Sequence, residues 1–527
     1  MRWPFLLLAA LAAATTPGAA EGEVWADGAL HLRATVFRDA PSTDVLFDPG
    51  SRLFVIDDYL ATTVDSTYGS MLAELVVNGR HLDGALRWRL ALDTGELRVR
   101  RFPALVTACW SSSSPSGIDV RGSMRCSAMG PSLPLEETGL GPSELTSNGR
   151  AFADELQGTL LIREAYLAWS FGRAGFATLR AGRARYAVAE GLVHDDYGTG
   201  VDVALDLGAI GPPFELRAAL FQPTRDFPRS VSGITPMALV RVDWLPSLFE
   251  HAGLFLAARH DRTGGLAELV RSAYVEDQVV RLSGLAPGTP DFITSSRALA
   301  ALLSSELTST ATLAWAGTTG SLVTFAGQRL LWTLAVLRGH LDQLGTPAGT
   351  TAVDVPLRGS AAWLRYRVSP LPWLSVTPWF LYLSGDRPPP EKARLGLDSG
   401  YGAFLGVNPY VTATNLFFRG GLSQTFAARQ ATAPGVNGRG VIAPGLDVEL
   451  DVGRDVDLLA RAAWLQAEDD GPWGGRTYGT ELDLQATWDP APWISVGGEV
   501  DVLLPGDFFG GGRTVFKSVL GVDLRTP

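Results

Sequence analysis

Charged side chains occupy every second position in several short segments of this sequence. Acidic residues alternate with Leu and Val around Asp447 and Asp483, and arginines alternate with apolar residues around Arg87 and Arg365. Such alternation places one set of side chains on one face of an extended strand. We expect these charged faces to line a water-filled pore. The expected acidic set is Asp447, Glu449, Asp451, Glu481, Asp483, Glu499 and Asp501. The expected basic set is Arg87, Arg89, Arg98, Arg100, Arg365 and Arg367.

The two charged sets come from different parts of the chain. The acids concentrate near the C-terminus, while many of the arginines come from earlier strands. In a closed barrel the two sets would face each other at least partly and set up a transverse field that orients polar and charged solutes. The alternative is that arginine–carboxylate pairs brace the wall, and the two roles are compatible.

Candidate catalytic and metal-binding residues are few. The histidines are scattered, and His194-Asp195-Asp196 is the one cluster suited to a divalent cation or to acid–base chemistry. A solvated turn is the simpler interpretation of that cluster. The sequence contains no Gly-x-Ser-x-Gly elbow, Walker A loop, dinucleotide-binding glycine motif or two-cysteine zinc motif. We therefore expect a protein that is not an enzyme and that uses no cofactor or metal.

The same alternation runs along most of the chain and predicts its fold. From Glu481 to Trp488, polar and apolar residues alternate strictly. Many long strands that are charged on one face and apolar on the other indicate water inside and lipid outside. We predict an all-β fold, a transmembrane antiparallel β-barrel of about 18 strands. The predicted C-terminal hairpins are 357–368 with 373–384, 413–429 with 441–453, 456–467 with 477–489, and 492–504 with 512–524.

The N-terminus has the pattern of an exported protein. Arg2 precedes an apolar core from Phe5 to Ala14, and Gly18-Ala19-Ala20 offers small residues for cleavage. We expect residues 1–20 to be a signal peptide and residues 21–527 to form a single barrel domain in the bacterial outer membrane. Past the signal peptide, no apolar run reaches the roughly 18 residues of a membrane helix. The net charge of −11 gives no reason to expect a nucleic-acid partner.

Long polar segments separate some of the predicted strands. Short turns are typical of the periplasmic rim of such a barrel, and long loops are typical of the outside. The predicted extracellular loops are 40–68, 103–157, 262–308 and 385–412. The two cysteines, Cys109 and Cys126, lie in the second loop, and an oxidising compartment favours a disulfide between them. Such a bond would stabilise the loop by about 3 kcal/mol.

Several short motifs resemble those of alginate-export-type outer-membrane porins. They are Arg163-Glu164-Ala165-Tyr166-Leu167 with Leu179-Arg180-Ala181-Gly182-Arg183, Phe380-Leu381-Tyr382-Leu383-Ser384-Gly385-Asp386, and Leu503-Leu504-Pro505-Gly506-Asp507-Phe508-Phe509. The resemblance implies a monomeric barrel of about 18 strands through which polyanionic saccharide or small solutes diffuse. It also implies that Arg163, Arg180 and Arg183 contribute to an arginine-rich constriction. The heavily acidic wall departs from that family's pattern.

These features predict an outer-membrane channel, either a porin or the barrel of a polysaccharide-export system. It would pass polar or charged solutes or exported polysaccharide. The expected partners are outer-membrane lipids, polysaccharide or small polar solutes, and periplasmic export or envelope-complex proteins. One alternative is a plugged barrel that acts as a structural or docking component of a secretion or motility complex. A second alternative is a secreted soluble β-protein whose apolar strand faces pack against each other.

Overall fold

The computed structural model shows a sheet of antiparallel strands closed on itself, together with segments that lie inside it. The structure describes residues 22–41, 63–94, 97–100, 105–111, 124–128, 161–172, 175–223, 235–247, 249–262, 266, 310–342, 354–386, 400–407, 409–418, 420–422, 435, 438–453, 455–470, 475–509 and 514–526. Within these ranges, no helix is long and apolar enough to cross a membrane.

The strands follow the chain in order. They are β1 (Glu23–Pro41), β2 (Thr63–His81), β3 (Leu86–Asp93), β4 (Leu97–Arg100), β5 (Leu105–Ser111), β6 (Met124–Ala128), β7 (Leu161–Phe171), β8 (Ala177–Val188), β9 (His194–Asp206), β10 (Phe214–Pro223), β11 (Met237–Trp244), β12 (His251–Asp261), β13 (Thr310–Val323), β14 (Arg329–Asp342), β15 (Asp354–Leu371), β16 (Leu374–Leu383), β17 (Val441–Asp451), β18 (Val456–Gln466), β19 (Thr477–Ala491), β20 (Ile494–Pro505) and β21 (Val515–Arg525).

The wall closes because the first and last strands pair. The strands β1 to β3 and β7 to β21 each lie antiparallel to the next in that order, and β21 pairs with β1. Among the described residues, this makes a closed antiparallel barrel of eighteen strands, so the predicted fold class is confirmed. The short strands β4 and β5 extend the pairing along β2, and β6 pairs with β5.

Successive strands are joined alternately at two ends of the barrel. At one end, here called the turn side, the described connections are short, as at residues 82–85, 372–373 and 492–493. The last two are the Pro-Trp pairs of two similar segments, 369–376 (SPLPWLSV) and 489–496 (DPAPWISV). Proline suits a turn because it has no N–H to donate to a strand ladder. We call the other end, where β12 leads to β13 and β16 leads to β17, the loop side.

Some predictions concern residues that the structure does not describe. The predicted signal peptide lies outside the described residues, as do large parts of the predicted loops. The backbone pairing of β5 with β6 places Cys109 directly opposite Cys126. The side chains of these two cysteines are not among those described, so the disulfide stays a prediction.

The strand predicted over 413–429 is wrong for the residues that the structure describes there. β16 pairs directly with β17, from Leu374 opposite Leu450 to Leu383 opposite Val441. No position in the wall remains between these two strands. Residues 413–418 instead form irregular structure inside the barrel.

The solvated turn expected at His194 is also wrong. His194 begins β9 and has no solvent-exposed surface. Its ring lies 5.3 Å from the ring of Phe221, centroid to centroid. The two aspartates that follow His194 are typical of a turn, but here they belong to a strand whose first residue is buried inside the barrel.

The outward face of the wall is apolar and exposed. In β12, Leu254 is 67% exposed and Leu256 is 63% exposed. Exposed apolar residues of other strands include Leu75, Leu167, Val201, Leu220, Val240, Leu334, Leu446, Leu482, Leu484, Val500 and Leu520. We call this surface the apolar band. Because these faces are exposed, the alternative in which they pack against each other is wrong. A band of this extent is far larger than the apolar patches of soluble monomers.

A charge placed in the apolar band should destabilise the barrel in a bilayer. Leu254 pairs with Thr318, which lies midway along the outward row of β13 from Leu322 to Ala314. We expect Leu254→Arg to lower the free energy of unfolding by about 2–4 kcal/mol, the cost of arginine near a bilayer midplane. Guanidinium titration of protein refolded in lipid vesicles measures this change.

The matched control for that experiment is Ile210→Arg. Ile210 is an exposed apolar residue of the turn between β9 and β10. Arginine near a membrane interface costs about 0–1 kcal/mol, so this variant should unfold nearly as the parent does. Equal destabilisation by the two substitutions would contradict a lipid environment at the height of Leu254.

Candidate functional site

The hairpin of β8 and β9 is longer than the strands beside it. The pairing of β8 with β7 ends at Arg183, and the pairing of β9 with β10 ends at Gly198. Residues 184–197, here called the hairpin tip, therefore extend past the last residues that pair with β7 and β10. The tip crosses the interior to contact β13 and β14. On β15, Arg365 Nη2 donates a hydrogen bond to Glu190 Oε2 at 2.5 Å.

The turn at the end of the hairpin tip has an unusual backbone. Ala189 and Glu190 have φ angles of 54° and 48°, in the left-handed region that side chains other than glycine rarely adopt. Gly191 follows with a φ of 90°, and a Cβ there would lie 2.2 Å from the carbonyl oxygen of Tyr410. Such residues cost of order 1–3 kcal/mol each, which the surrounding contacts must offset. The ion pair with Arg365 is one of those contacts.

A second segment, residues 400–422, enters the interior from the connection between β16 and β17. The N–H of Val407 donates to the carbonyl of Val193 at 2.7 Å, and the N–H of Tyr410 donates to the carbonyl of Gly191 at 2.8 Å. These bonds join the segment to the hairpin tip. We call the hairpin tip and the described residues of this segment, taken together, the partition.

One face of the partition packs on the inner wall through apolar side chains. Tyr186 stacks on Phe221 of β10 with ring centroids 4.0 Å apart, and Trp315 Nε1 of β13 donates to the carbonyl of Leu405 at 2.8 Å. The buried cluster also contains Val188, Leu192, Val193, Leu239, Phe255, Leu313, Leu337, Leu381, Phe404, Val407, Leu416 and Phe417. Full burial of such a side chain contributes about 1.5–3 kcal/mol. Where the partition meets β10 to β16, the interior is therefore a packed core rather than a water-filled space.

Glu481 of β19 holds the far end of the partition. Its carboxylate accepts backbone N–H bonds from Leu416 at 2.5 Å and from Phe417 at 3.0 Å. It also accepts from the hydroxyl of Thr414 at 2.8 Å. The Glu481 side chain faces inward, as the alternation predicts, but the residue has no exposed surface. It anchors the partition rather than facing open solvent.

Three further carboxylates form the same anchor. Asp483 accepts from the backbone N–H of Asn415 at 3.0 Å, and Asp501 accepts from the side-chain amide of Asn415 at 2.9 Å. Lys517 Nζ of β21 lies 2.5 Å from Glu499 Oε1 and 3.1 Å from Asp501 Oδ2. All four charged groups are buried. We call Glu481, Asp483, Glu499, Asp501 and Lys517 the anchor cluster.

The end of the partition near residue 422 is hydrogen-bonded to wall strands on two sides. Leu422 donates its N–H to Glu499 at 2.5 Å and accepts at its carbonyl from Arg33 Nε of β1 at 3.0 Å. Arg461 Nη1 of β18 donates to the carbonyl of Thr412 at 3.2 Å. The partition therefore runs from the β8–β9 hairpin to the seam where β21 meets β1.

The other face of the hairpin tip is polar. Arg185 donates from Nε and Nη2 to the two oxygens of Asp195 at 2.6 and 2.7 Å, and Arg185 remains more than half exposed. The guanidinium carbons of Arg163 and Arg183 lie 5.9 and 6.0 Å from the centre of the Tyr197 ring. Cations within about 6 Å of an aromatic ring are attracted to it. This face thus presents arginine and tyrosine side chains toward β7.

Tyr410 adds a phenol to the polar face. Burial, with a smaller contribution from the Asp195 carboxylate, raises the pKa of Tyr410 above its ordinary value. The phenol therefore stays protonated at neutral pH and keeps its O–H as a donor.

The wall beside the polar face carries alternating charges. Arg163 Nε of β7 lies 2.6 Å from Asp93 Oδ2 of β3, and Arg163 also pairs with Glu74 of β2. Arg89 pairs with Glu164. We call the region between this wall and the polar face of the partition the polar zone. Of the arginines predicted to line a pore, Arg163, Arg183 and Arg89 lie at this zone.

Other predicted arginines lie elsewhere. Arg180 Nε pairs with Asp202 at 2.6 Å, with its guanidinium carbon 5.2 Å from the Tyr186 ring centre. Arg367 pairs with Glu449 at 2.6 Å, and both side chains are nearly half exposed. These pairs, like the one that Arg365 makes with the hairpin tip, are of the kind that brace a wall. The side chains of Arg98 and Arg100, in β4, are not among those described.

The remaining predicted acids and Arg87 make local contacts. Asp447 Oδ1 lies 2.9 Å from Arg461 Nε. Asp451 Oδ1 accepts the N–H of Gly453 at 2.9 Å and closes the turn after β17. Arg87 Nη2 donates to a serine hydroxyl of β7 at 3.2 Å. A pore-lining role for the predicted acidic and basic sets stays a prediction.

Sequence reasoning missed Arg185, Tyr197, Tyr410 and Lys517. For the partition as a whole, one signal was available in the sequence. β13 and β14 are apolar on both faces, which indicates that an apolar surface packs against them on the inside as well as the outside. Among the described residues, no group of three or more His, Cys, Asp or Glu side chains is arranged to hold a metal ion.

Fold and site together define the class of protein. It is a closed antiparallel β-barrel with an apolar exterior and an interior divided by its own chain.

Comparison with known proteins gives similarity to solved structures of bacterial barrels. Pseudomonas aeruginosa OccK11 (OpdR) is 12% identical with a TM-score of 0.44, over 97% of this chain and 99% of that chain. OpdL from the same organism is 10% identical with a TM-score of 0.47, over 96% and 99%. The outer membrane protein OpdK, also from that organism, is 10% identical with a TM-score of 0.44, over 95% and 99%. No protein-family model and no curated protein matches the sequence.

Loss of the Glu481 carboxylate should release the partition without opening the wall. Glu481→Ala removes the acceptor of three donors, and each buried donor left without a partner costs about 1–3 kcal/mol. We expect new protease cleavage within residues 400–422 of the purified barrel in detergent micelles, while the wall keeps its heat-modifiable mobility on gels. Mass spectrometry of the fragments locates the cleavage.

Glu449→Ala is the control for that experiment. Glu449 is nearly half exposed and pairs only with Arg367 among the described residues, an interaction worth about 0–1 kcal/mol. This variant should be cleaved as the parent is. If Glu481→Ala is also cleaved as the parent is, the anchor cluster does not hold the partition.

Proposed function

We propose that this protein is a passive channel of the bacterial outer membrane for small polar or charged solutes. The observation that carries the proposal is the division of the interior into a packed apolar core and a polar zone. The polar zone provides charged and aromatic donors along one side of the lumen.

The membrane location follows from the two surfaces of the wall. A closed barrel leaves no strand edge unpaired, so every strand can be hydrogen-bonded without water. The apolar band then contacts hydrocarbon, and lipids are the partners on that side. The predicted signal peptide agrees with this location because a barrel of the outer membrane has to be exported.

The contacts of the polar zone favour small solutes over exported polysaccharide. The partition is tied to the wall at Glu190, at Leu405 and at the anchor cluster, so it narrows the lumen as a fixed element. Arg89, Arg163 and Arg185 in the zone are paired with carboxylates, and Arg185 keeps more than half of its side chain exposed. A solute with charged or hydrogen-bonding groups exchanges its water for these fixed partners.

Conductance tests the proposal directly. Purified protein in a planar bilayer should give discrete conductance steps whose current is linear in voltage. Absence of any conductance from a correctly folded barrel would overturn the proposed channel.

Removing positive charge from the polar zone should shift ion selectivity toward cations. A unit charge about 7 Å from an ion in water contributes about 0.6 kcal/mol, which corresponds to a two- to threefold change in the permeability ratio. We therefore expect Arg183→Gln with Arg185→Gln to raise the cation-to-anion permeability ratio by roughly that factor or more. Reversal potentials across a salt gradient measure the ratio. Arg476→Gln, at an exposed arginine outside the polar zone, should leave it unchanged.

The plugged docking barrel remains the rival function, and deletion of residues 262–308 separates the two. Under the proposed function, conductance is present before the deletion. Conductance that appears only after the deletion would favour the rival.

A further inference from the structure

Two arginines on the outside of the barrel are not explained by the apolar band. Arg338 of β14 lies directly opposite Arg358 of β15, and both are exposed. Residues directly opposite each other across antiparallel strands have Cβ atoms about 4.5–5.5 Å apart, and like charges in such pairs destabilise the sheet. Within the described part of the chain, the side chain of neither arginine makes a hydrogen bond or an ion pair; the backbone N–H of Arg358 donates to the carbonyl of Tyr401 at 2.9 Å.

Both side chains point outward. In β14, Ala335 and Leu337 are buried inside, whereas Leu334 and Val336 are 40% and 48% exposed on the apolar band. Arg338 continues that outward row. In β15, Leu357 is buried inside, and Arg358 is the next residue on the opposite face.

Three other pairs of arginines face each other across described strands, and each has a carboxylate. The pairs are Arg80 with Arg87, Arg217 with Arg241, and Arg329 with Arg367. Their carboxylates are Glu23, Asp202 with Asp243, and Glu449. The chain therefore balances paired arginines elsewhere, and the balancing anion for Arg338 and Arg358 has to come from outside the described residues.

The height of the pair on the barrel indicates which anion is available. Leu330 starts the outward row of β14 near the turn side, and Arg338 lies eight residues further along the strand. At about 3.4 Å per residue and a tilt of about 40°, this is a rise of about 20 Å. The apolar band of such barrels is about 25 Å tall. Arg338 and Arg358 therefore lie near the loop-side edge of the band, where lipid headgroups begin.

We infer that Arg338 and Arg358 clamp a phosphate group of a membrane lipid headgroup at the loop-side edge of the barrel. The inference rests on the membrane location in the proposed function and does not depend on conduction. The arginine fork binds phosphate oxygens in bidentate geometry, and one phosphate can neutralise charge on both side chains. The acyl chains of the same lipid would lie along Leu334, Val336 and Leu364, which are exposed below the pair.

Neighbouring polar groups border the site. His340 is the next outward residue of β14, and its Nε2 lies 3.7 Å from Asp342 Oδ2. His260 Nδ1 lies 3.1 Å from the hydroxyl of Thr312, which pairs with His340. The carboxylate of Asp342 lies beside His340 rather than beside the arginines. The two arginines are therefore the cationic centre of the site.

Lipid retention by the full-length barrel tests the inference. The purified protein in detergent is mixed with phosphorylated lipid A, with the same lipid after removal of its phosphates, or with inorganic phosphate, and native mass spectrometry counts the bound molecules. We expect the parent to retain phosphorylated lipid A at least about tenfold more strongly than Arg338→Gln with Arg358→Gln, since the variant loses charge-assisted hydrogen bonds to the phosphate. Arg476→Gln with Arg525→Gln removes the same charge elsewhere and should retain the lipid as the parent does.

Thermal unfolding provides a second readout with a change of sign. Without phosphorylated lipid, Arg338→Gln with Arg358→Gln should unfold at the same temperature as the parent or higher, because the substitution removes a repulsive pair. With the lipid present, the parent should unfold at the higher temperature.

Three results would overturn the inference: equal retention by parent and double variant, equal retention of the dephosphorylated lipid, or inorganic phosphate bound as tightly as the lipid. Absence of conductance from the parent protein would contradict the proposed channel, but it would not affect these lipid measurements.

Discussion

The width of the barrel is the constraint on which the rest of this structure depends. Side chains from the walls of a barrel of eight strands meet at its centre, whereas barrels of sixteen to eighteen strands leave a space that the wall cannot fill. Here a hairpin tip and the segment 400–422 enter that space and pack on one side of it. Where this inserted chain contacts β10 to β16, the inward residues of those strands are mostly apolar. The inward faces of β2, β3 and β7 instead carry paired charges, such as Arg163 with Asp93 and Glu74.

The acidic residues of β19 and β20 follow from the irregular backbone of the partition. Residues 414–417 and 422 leave the strand ladder, so their N–H groups need other acceptors, and water is excluded where the segment is buried. A carboxylate has several acceptor positions and binds N–H groups strongly. Glu481 alone satisfies two backbone N–H groups and one hydroxyl. Lys517 offsets part of the negative charge at Glu499 and Asp501. Removal of one partner from a buried ion pair is strongly destabilising, so these buried carboxylates depend on the lysine.

Alternation predicted the wall well because each strand has two different surroundings and pairs mostly with its sequence neighbours. It failed at 413–429, where the pattern is similar but the described residues 413–418 are buried on both faces. The contacts of the partition join residues far apart in the sequence, such as Leu416 and Glu481, which are 65 positions apart. No local pattern encodes such a contact. The same limit applies to the acids, whose inward direction was predictable while their partners were not.

The arginines show how the two sides of one wall assign different partners to one residue type. Inward-facing arginines such as Arg163, Arg180 and Arg461 reach carboxylates on neighbouring strands, because the interior supplies acids at matching heights. Outward-facing positions adjoin the apolar band, and among the described residues no carboxylate pairs with Arg338 or Arg358 there. Under the lipid inference, the surrounding phase provides the anion for this pair. The composition of each face of the wall therefore depends on what lies against it. The inward arginine pairs match the partition and the polar zone, and under the lipid inference the outward pair matches the membrane.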